Sequence, residues 1–529
     1  MKQNEEVLEY AHQTIFKEDN IMKQKTDNSI DLLNSKRTTM YNTYAYYLIS
    51  FYAGVSTITD LAVSYYYKDK LLVNPSGLSQ IMSAITLPWS LKPILGLLTD
   101  FCPIYGYKRK IYILLCGFIS FLCWMSMYYL LPSFSATSGF LFLINICNSF
   151  SSVLSEAIVV ELARSNTDRD KKLMEESNLE TNTKPKDHAK EYVSLFMIFK
   201  YCGVLLASFL KGSLVESIGI QNVFFIGGVL PLIVILAGVI MVDRNINKKR
   251  ENFEYNTNIS NNQNNIVISE HNEENNLGNA DLNTNAIRNT NTEYNLIQNS
   301  NNNNNNNNNQ DDISHVPDFS EMVNFIFNKR VLVPIVFIIL FMGMPSYSDP
   351  FFYFLTNKLH FTAVSLGKIA FCSTLGVLLG IYIYKSFFEN SNFKCILIIC
   401  TLLTFFFTFC ANLLVLRINV QLGISDFLIV LFSNSILSML GEIMLLPLLT
   451  LACNICPKNM EGTVFSIFMS ALNFGGVLSN ISGSFITYYL NITATNYDNL
   501  HILLLISNIC SLLPLPLLFF INNKYLKGQ

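Results

Sequence analysis

The chain reads as an all-α polytopic membrane protein, with twelve transmembrane helices arranged as two six-helix bundles. Composition is the first observation. Hydrophobic residues make up 51% of the 529 and charged ones only 14%, against about 25% charged in an average soluble domain. Length is the second, because apolar stretches of about 20 residues, enough to cross a hydrocarbon core, recur along the chain. They fall at 44–66, 77–99, 111–131, 139–162, 192–214 and 222–242, then at 331–355, 364–387, 395–416, 427–453, 464–490 and 500–520. The third is the polar tract that separates the sixth stretch from the seventh.

The expected organisation is an N-terminal segment 1–43, a first bundle 44–243, a linker 244–329, a second bundle 330–522 and a tail 523–529. Two bundles joined by a hydrophilic linker are a layout used by secondary transporters. The linker is rich in Asn, Glu and Thr and ends in an uninterrupted Asn run at 301–309. Such a composition buries too little apolar surface to offset ordering entropy, so disorder is expected. The charged stretch 164–190 is expected to be a solvated connector.

Orientation follows from Lys and Arg. With both termini inside, the cytoplasmic side receives Lys36, Arg37, Lys108, Arg109, Lys110, Arg164, Arg169, Lys171, Lys172, Lys248, Lys249, Arg250, Lys329, Arg330, Lys385, Lys458, Lys524 and Lys527. The outer side holds Lys68, Lys70, Lys211, Lys358 and Arg417. The positive-inside rule therefore predicts an N-in, C-in topology. No cleavable signal peptide is visible, and the lack of a recognisable targeting segment points to the plasma membrane.

The spans differ in what they carry. The first holds Asp60 near its outer end, and the second ends in Lys92, Pro93, Gly96 and Asp100 before a turn and a basic cluster. Ionisable groups inside a membrane are costly and usually line a polar path or pair with a partner. The fourth span holds Glu156, with Glu161 and Arg164 at its inner end, and the fifth holds Lys200. The seventh, tenth and eleventh bring Asp349, Glu442 and Asn473. By analogy with two-bundle transporters, the first, fourth, seventh and tenth spans line the central cavity, and each carries one of these acids.

Two readings stay open for each group. Asp60 and Asp349 are either cavity carboxylates or interfacial groups that snorkel or cap. Glu156 and Glu442 are either cavity proton carriers or members of internal ion pairs. Lys92 and Lys200 either hold a substrate carboxylate through charge-assisted hydrogen bonds or pair within the bundle. Glu161 and Arg164, spaced i, i+3, favour a local salt bridge. Asn473 is either an interhelical hydrogen-bonder or a cavity ligand.

The twelve cysteines sit mostly in apolar runs, and the lone CxxC, Cys453 to Cys456, has no second pair and no His nearby. They read as free thiols, with no metal and no cofactor expected. A net charge of −2 gives no sign of nucleic-acid binding. No GxSxG, HExxH or Walker-type loop occurs, so neither an enzyme nor an ATPase is expected, and energy should come from an ion gradient.

The segment PWSLKPILGLLTDFCPIYGYKRKIY at 88–112 resembles the signature of the folate-biopterin transporter family, a branch of the major facilitator superfamily. The likeness continues through SVLSEAIVVELAR at 152–164, PSYSDPFFYFLTNKLHFT at 345–362 and LPLLTLACNICPKNMEGTVFSIFMSALNFGG at 446–476, so it covers both bundles. Among members, the chain is most similar to apicomplexan folate transporters. Where the family shows two acids in the fourth span, this chain has Ser152 and Glu156, and Leu162 replaces a frequent Arg. The resemblance implies a transporter of folates or pterins, and a latch in which Gly96, Asp100, Gly106 and Arg109 stabilise the outward-open state, while the intramembrane carboxylates, able to take up and release protons in a low-dielectric site, point to proton coupling. A transporter of another small anion or zwitterion is the alternative, and a membrane enzyme or scaffold a distant third.

Overall fold

The computed structural model describes residues 37–130, 132–176, 188–243, 327–388, 391–455 and 461–520. The expected linker therefore lies almost wholly outside the described residues, as do most of the N-terminal segment and the C-terminal tail. Helices occupy the places of all the expected spans. The first bundle contains α1 (37–70), α2 (75–101), α3 (Lys110–Leu130), α4 (Phe134–Glu176), α5 (His188–Ser217) and α6 (219–240). The second contains α7 (329–342 and 348–358), α8 (363–388), α9 (Phe393–Val415), α10 (Asp426–Ile455), α11 (Glu461–Tyr489) and α12 (Leu500–Cys510 with Leu515–Phe520). Among the described residues, nine helices are long and apolar enough to cross a membrane on their own.

Local chemistry sets the helix ends. Pro75 opens α2 in the first turn, where its missing N–H costs nothing. Thr362 caps α8 by accepting from Ser365 N, and Asn392 caps α9 by accepting from Lys394 N. Each cap satisfies an otherwise orphaned donor. Helix α4 runs on to Glu176, so part of the expected connector 164–190 continues the helix.

The expectation of a continuous seventh span is corrected: α7 breaks over residues 343–347. Pro345 has no N–H to give a helix, and α11 and α12 supply partners for the freed backbone. Ser346 N donates to Ser479 O at 2.9 Å, Ser479 Oγ donates to Met344 O, and Ser507 Oγ donates to Pro345 O at 2.6 Å. Broken backbone at membrane depth is tolerated only with such partners.

The two bundles repeat one another at the ends of α1 and α7. Both helices finish in a π-helical turn, Tyr66–Lys70 and Phe354–Lys358. The turns close through matching bonds, Leu71 N to Tyr66 O and Leu359 N to Phe354 O, each 3.1 Å. Leu72 and His360 then take the left-handed conformation, with φ of 50° and 55°.

Packing differs between the two ends of the molecule. At the end where α1 turns into α2, one apolar cluster includes Tyr66, Tyr67, Leu78 and Phe224 from the first bundle with Phe351, Tyr353, Phe354 and Tyr497 from the second. At the opposite end the cores are separate, one around Tyr46, Ile49, Phe150 and Leu154, the other around Phe337, Leu397, Leu448 and Phe468. Among the described residues, the apolar cores of the bundles are thus fused at one end and parted at the other. Between them α2 packs on α11, and α5 on α8. Gly212 and Gly367 let the latter pair touch through backbone, since a Cβ on Gly212 would lie 2.4 Å from Ala363 O.

Candidate functional site

Lys92 begins the last helical piece of α2, directly before Pro93, and its side chain crosses to α4. Nζ donates to Glu156 Oε1 at 2.8 Å and to Ser152 Oγ at 3.0 Å, and Ser152 Oγ donates to the same Glu156 oxygen at 3.1 Å. The Lys92 side chain is 3% exposed and that of Glu156 29%. This is a closed triangle with one accessible corner. Trp89 covers it, its ring centroid 5.3 Å from Nζ, within cation–π range. The indole is held in turn by Nε1 donating to Asn145 Oδ1 at 2.9 Å.

Lys200 on α5 forms no ion pair within 4 Å among the described residues, yet it feels the charges of Lys92, Glu156 and Glu442. Its ammonium lies 5.9 Å from the Tyr201 ring centroid. Glu442 on α10 accepts from Tyr201 OH at 3.1 Å, a bond between the two bundles. Four expected cavity groups, Lys92, Glu156, Lys200 and Glu442, are therefore brought together where α2, α4, α5 and α10 converge.

Asp60 and Asp349 belong to a second level, nearer the fused end. Asp60 on α1 is exposed and lies within electrostatic reach of Lys211 on α5, a group that the sequence reading did not connect to it. Asp349, just past the break in α7, accepts from Ser79 Oγ on α2 at 2.7 Å. Beyond it Tyr353 OH donates to Val73 O, and Lys68 Nζ donates to Asn357 Oδ1 at 2.9 Å. Asn357 also donates to Ala494 O at 3.0 Å and Tyr497 OH at 3.2 Å. The second half of α7 thus bolts the bundles together. Asn473 on α11 donates to Trp89 O at 3.2 Å and to Met469 O at 2.9 Å, an interhelical bond across the bundles.

At the parted end, Gly96 lies against Val153 of α4, a Cβ there falling 3.4 Å from Val153 Cγ1. Gly106 has a φ of 81° in the tight turn between α2 and α3, a conformation that favours glycine. Arg109 is buried, 9% exposed. The backbones of Asp100, Glu161 and Arg164 lie in α2 and α4, but their side chains lie outside the described residues. Sequence reasoning missed Asp243, the residue just after α6. Its Oδ2 accepts from Arg109 N at 2.8 Å and Lys110 N at 3.2 Å, while Lys110 Nζ donates to Val239 O and Met241 O. The loop between α2 and α3 is tied to α6. An acid directly after an apolar span and before a basic stretch was the available signal.

Ten cysteines are free thiols among the described residues, and no His, Cys, Asp and Glu cluster suited to a metal occurs among them.

The chain is 27% identical over 478 residues to folate transporter 2 of Plasmodium falciparum, covering 90% of this chain and 87% of that one. It is 26% identical over 470 residues to the folate-biopterin transporter of Synechocystis, covering 89% and 79%. Among solved structures, a D-xylose–proton symporter aligns with a TM-score of 0.57 at 13% identity, covering 93% of this chain and 99% of that one. The nucleoside transporter NupG aligns at 0.54 and 12%, covering 92% and 98%. At those identities the likeness speaks for the fold, which is the two-bundle transporter fold that the resemblance implied. The profile of the BT1 family matches residues 53–527, and the chain belongs to that family.

Proposed function

We propose that this chain carries a folate or pterin across its membrane by alternating access, with a proton as the coupling ion. The observation that carries the proposal is the charge set between the bundles, in which Lys200 lacks an ion-pair partner among the described residues and Glu442 has only Tyr201 OH. A folate brings a flat pterin and a glutamate tail with two carboxylates. Lys200, without an ion-pair partner among the described residues, is a cation available to such a carboxylate, and Lys92, neutralised by Glu156, shapes the wall beside it. The names of the relatives support the same substrate class.

For the coupling ion, Glu442 is the better candidate than Glu156, because Glu156 is already engaged by Lys92 and Ser152. We further propose that both termini are cytoplasmic and that the membrane is the plasma membrane. The Lys and Arg distribution supports this orientation, and with it the parted end faces inward.

Counterflow in proteoliposomes tests the reading. Labelled folate should exchange against internal folate, a reduced folate or a pterin. If none of these accelerates exchange while a different small anion or zwitterion does, the substrate class is wrong.

A further inference from the structure

An open cleft of about 410 Å3 lies between α2 and α11, beside the charge set and separate from its carboxylates and ammonium groups. Its walls include Thr86 and Trp89 of α2 and Asn473, Gly476, Val477 and Asn480 of α11. We infer that this cleft receives the flat nitrogen heterocycle of the substrate, while the Lys200 region takes its carboxylates. The inference rests on the proposed folate or pterin reading and divides that ligand between two subsites.

Three features of the cleft point to such a group. Its volume lies in the range of about 300–1,000 Å3 typical of small-molecule sites. The α11 residues recur at i, i+3, i+4 and i+7, so they form one face of the helix turned toward Trp89. Gly475 and Gly476 divide their work between two directions. A Cβ on Gly475 would sit 2.5 Å from Met342 Cβ, so that glycine is needed for packing against α7. A Cβ on Gly476 would meet nothing within 4 Å. No protein atom needs that second glycine to be small, and the room it leaves belongs to the cleft.

Polar chemistry completes the site. The half-buried Asn480 amide has no hydrogen-bond partner among the described residues, and a side-chain amide offers both a donor and an acceptor. Asn473 uses its Nδ2 on Trp89 O and Met469 O, so its Oδ1 remains an acceptor. Paired donors and acceptors suit the edge of an amino-oxo heterocycle. Trp89, locked by Asn145 and lying 5.3 Å from Lys92 Nζ, offers an aromatic wall and joins the cleft to the charge set. Ring stacking on such a wall is a favourable use of a rigid indole.

Calorimetry on the purified full-length protein distinguishes the two subsites, using folate, pterin alone and p-aminobenzoylglutamate alone as probes. Gly476→Leu adds bulk to the cleft from a position where a Cβ meets no protein atom within 4 Å. It should weaken pterin and folate binding at least tenfold and leave p-aminobenzoylglutamate within twofold. Asn480→Leu should do the same to a smaller degree, about threefold to tenfold. Gly476→Ala, which the geometry accommodates, guards against loss of folding in the larger variant, and a thermal midpoint equal to the parent's certifies each protein. Unchanged pterin affinity in all three variants overturns the inference, as does an equal loss for all three probes. A parent that binds neither folate nor pterin overturns the proposed function itself.

Discussion

Glu156→Gln should destabilise the protein far more than Lys92→Met, although both break the same ion pair. The reason is the asymmetry of burial. With Lys92 3% exposed and Glu156 29% exposed, removing the carboxylate strands an ammonium that water reaches poorly. Removing the lysine leaves a carboxylate that is partly hydrated and still accepts from Ser152 Oγ at 3.1 Å. Breaking a fully buried pair costs about 3–5 kcal/mol. The glutamine keeps one hydrogen-bond acceptor for Nζ and one corner is open, so about 2–3 kcal/mol is expected for Glu156→Gln. For Lys92→Met about 1 kcal/mol is expected, from the lost charge-assisted bonds less the packing of the thioether under Trp89. The double variant should resemble Lys92→Met alone, because no stranded charge remains. Unfolding of the four proteins by denaturant, followed by Trp fluorescence in one detergent, provides the cycle. Equal losses for the two single variants, or a double variant that is their sum, would sink the closed-triangle account and free Glu156 to act elsewhere.

Glu442→Gln should abolish accumulation driven by a pH gradient while leaving substrate exchange within about threefold, since exchange moves no net proton; equal accumulation in variant and parent would send the coupling site to Asp60 or Asp349. Asn357→Ala removes the acceptor of Lys68 and two donors to the last loop, so it should weaken the fused end by about 1–3 kcal/mol. Hydrogen exchange at 66–73 and 353–361 should rise, with little change near Phe468. Asp243→Ala frees two backbone donors at the end of the loop between α2 and α3 and should slow transport cycling more than it alters substrate affinity; a collapse of affinity with unchanged cycling would refute the tether. Deletion of residues 256–311 should leave uptake per surface-expressed molecule intact, because so Asn-rich a composition is expected to add little to packing.

The sequence by itself determined the spans, their division into two sets, and the identity of the intramembrane charges. Those properties are local. Twenty apolar residues specify a membrane helix wherever they occur, and Lys92, Glu156, Lys200 and Glu442 stand out because a hydrocarbon core penalises each of them individually. Family motifs, also local, pointed to the fold. Tertiary structure alone decided which charge neutralises which. Lys92 lies 64 positions from Glu156 along the chain, and Tyr201 lies 241 from Glu442. Only the crossing of α2 with α4, and of α5 with α10, brings them to bonding distance. The break in α7 was half legible. Gly343 and Pro345 were in view, but an interruption inside an apolar run is permitted only when neighbours take up the freed backbone groups. The serines that do so, Ser479 and Ser507, come from two later helices. The role of Asp243 was hidden for the same reason, since a carboxylate at a span end acquires its meaning from the backbone donors that folding carries to it.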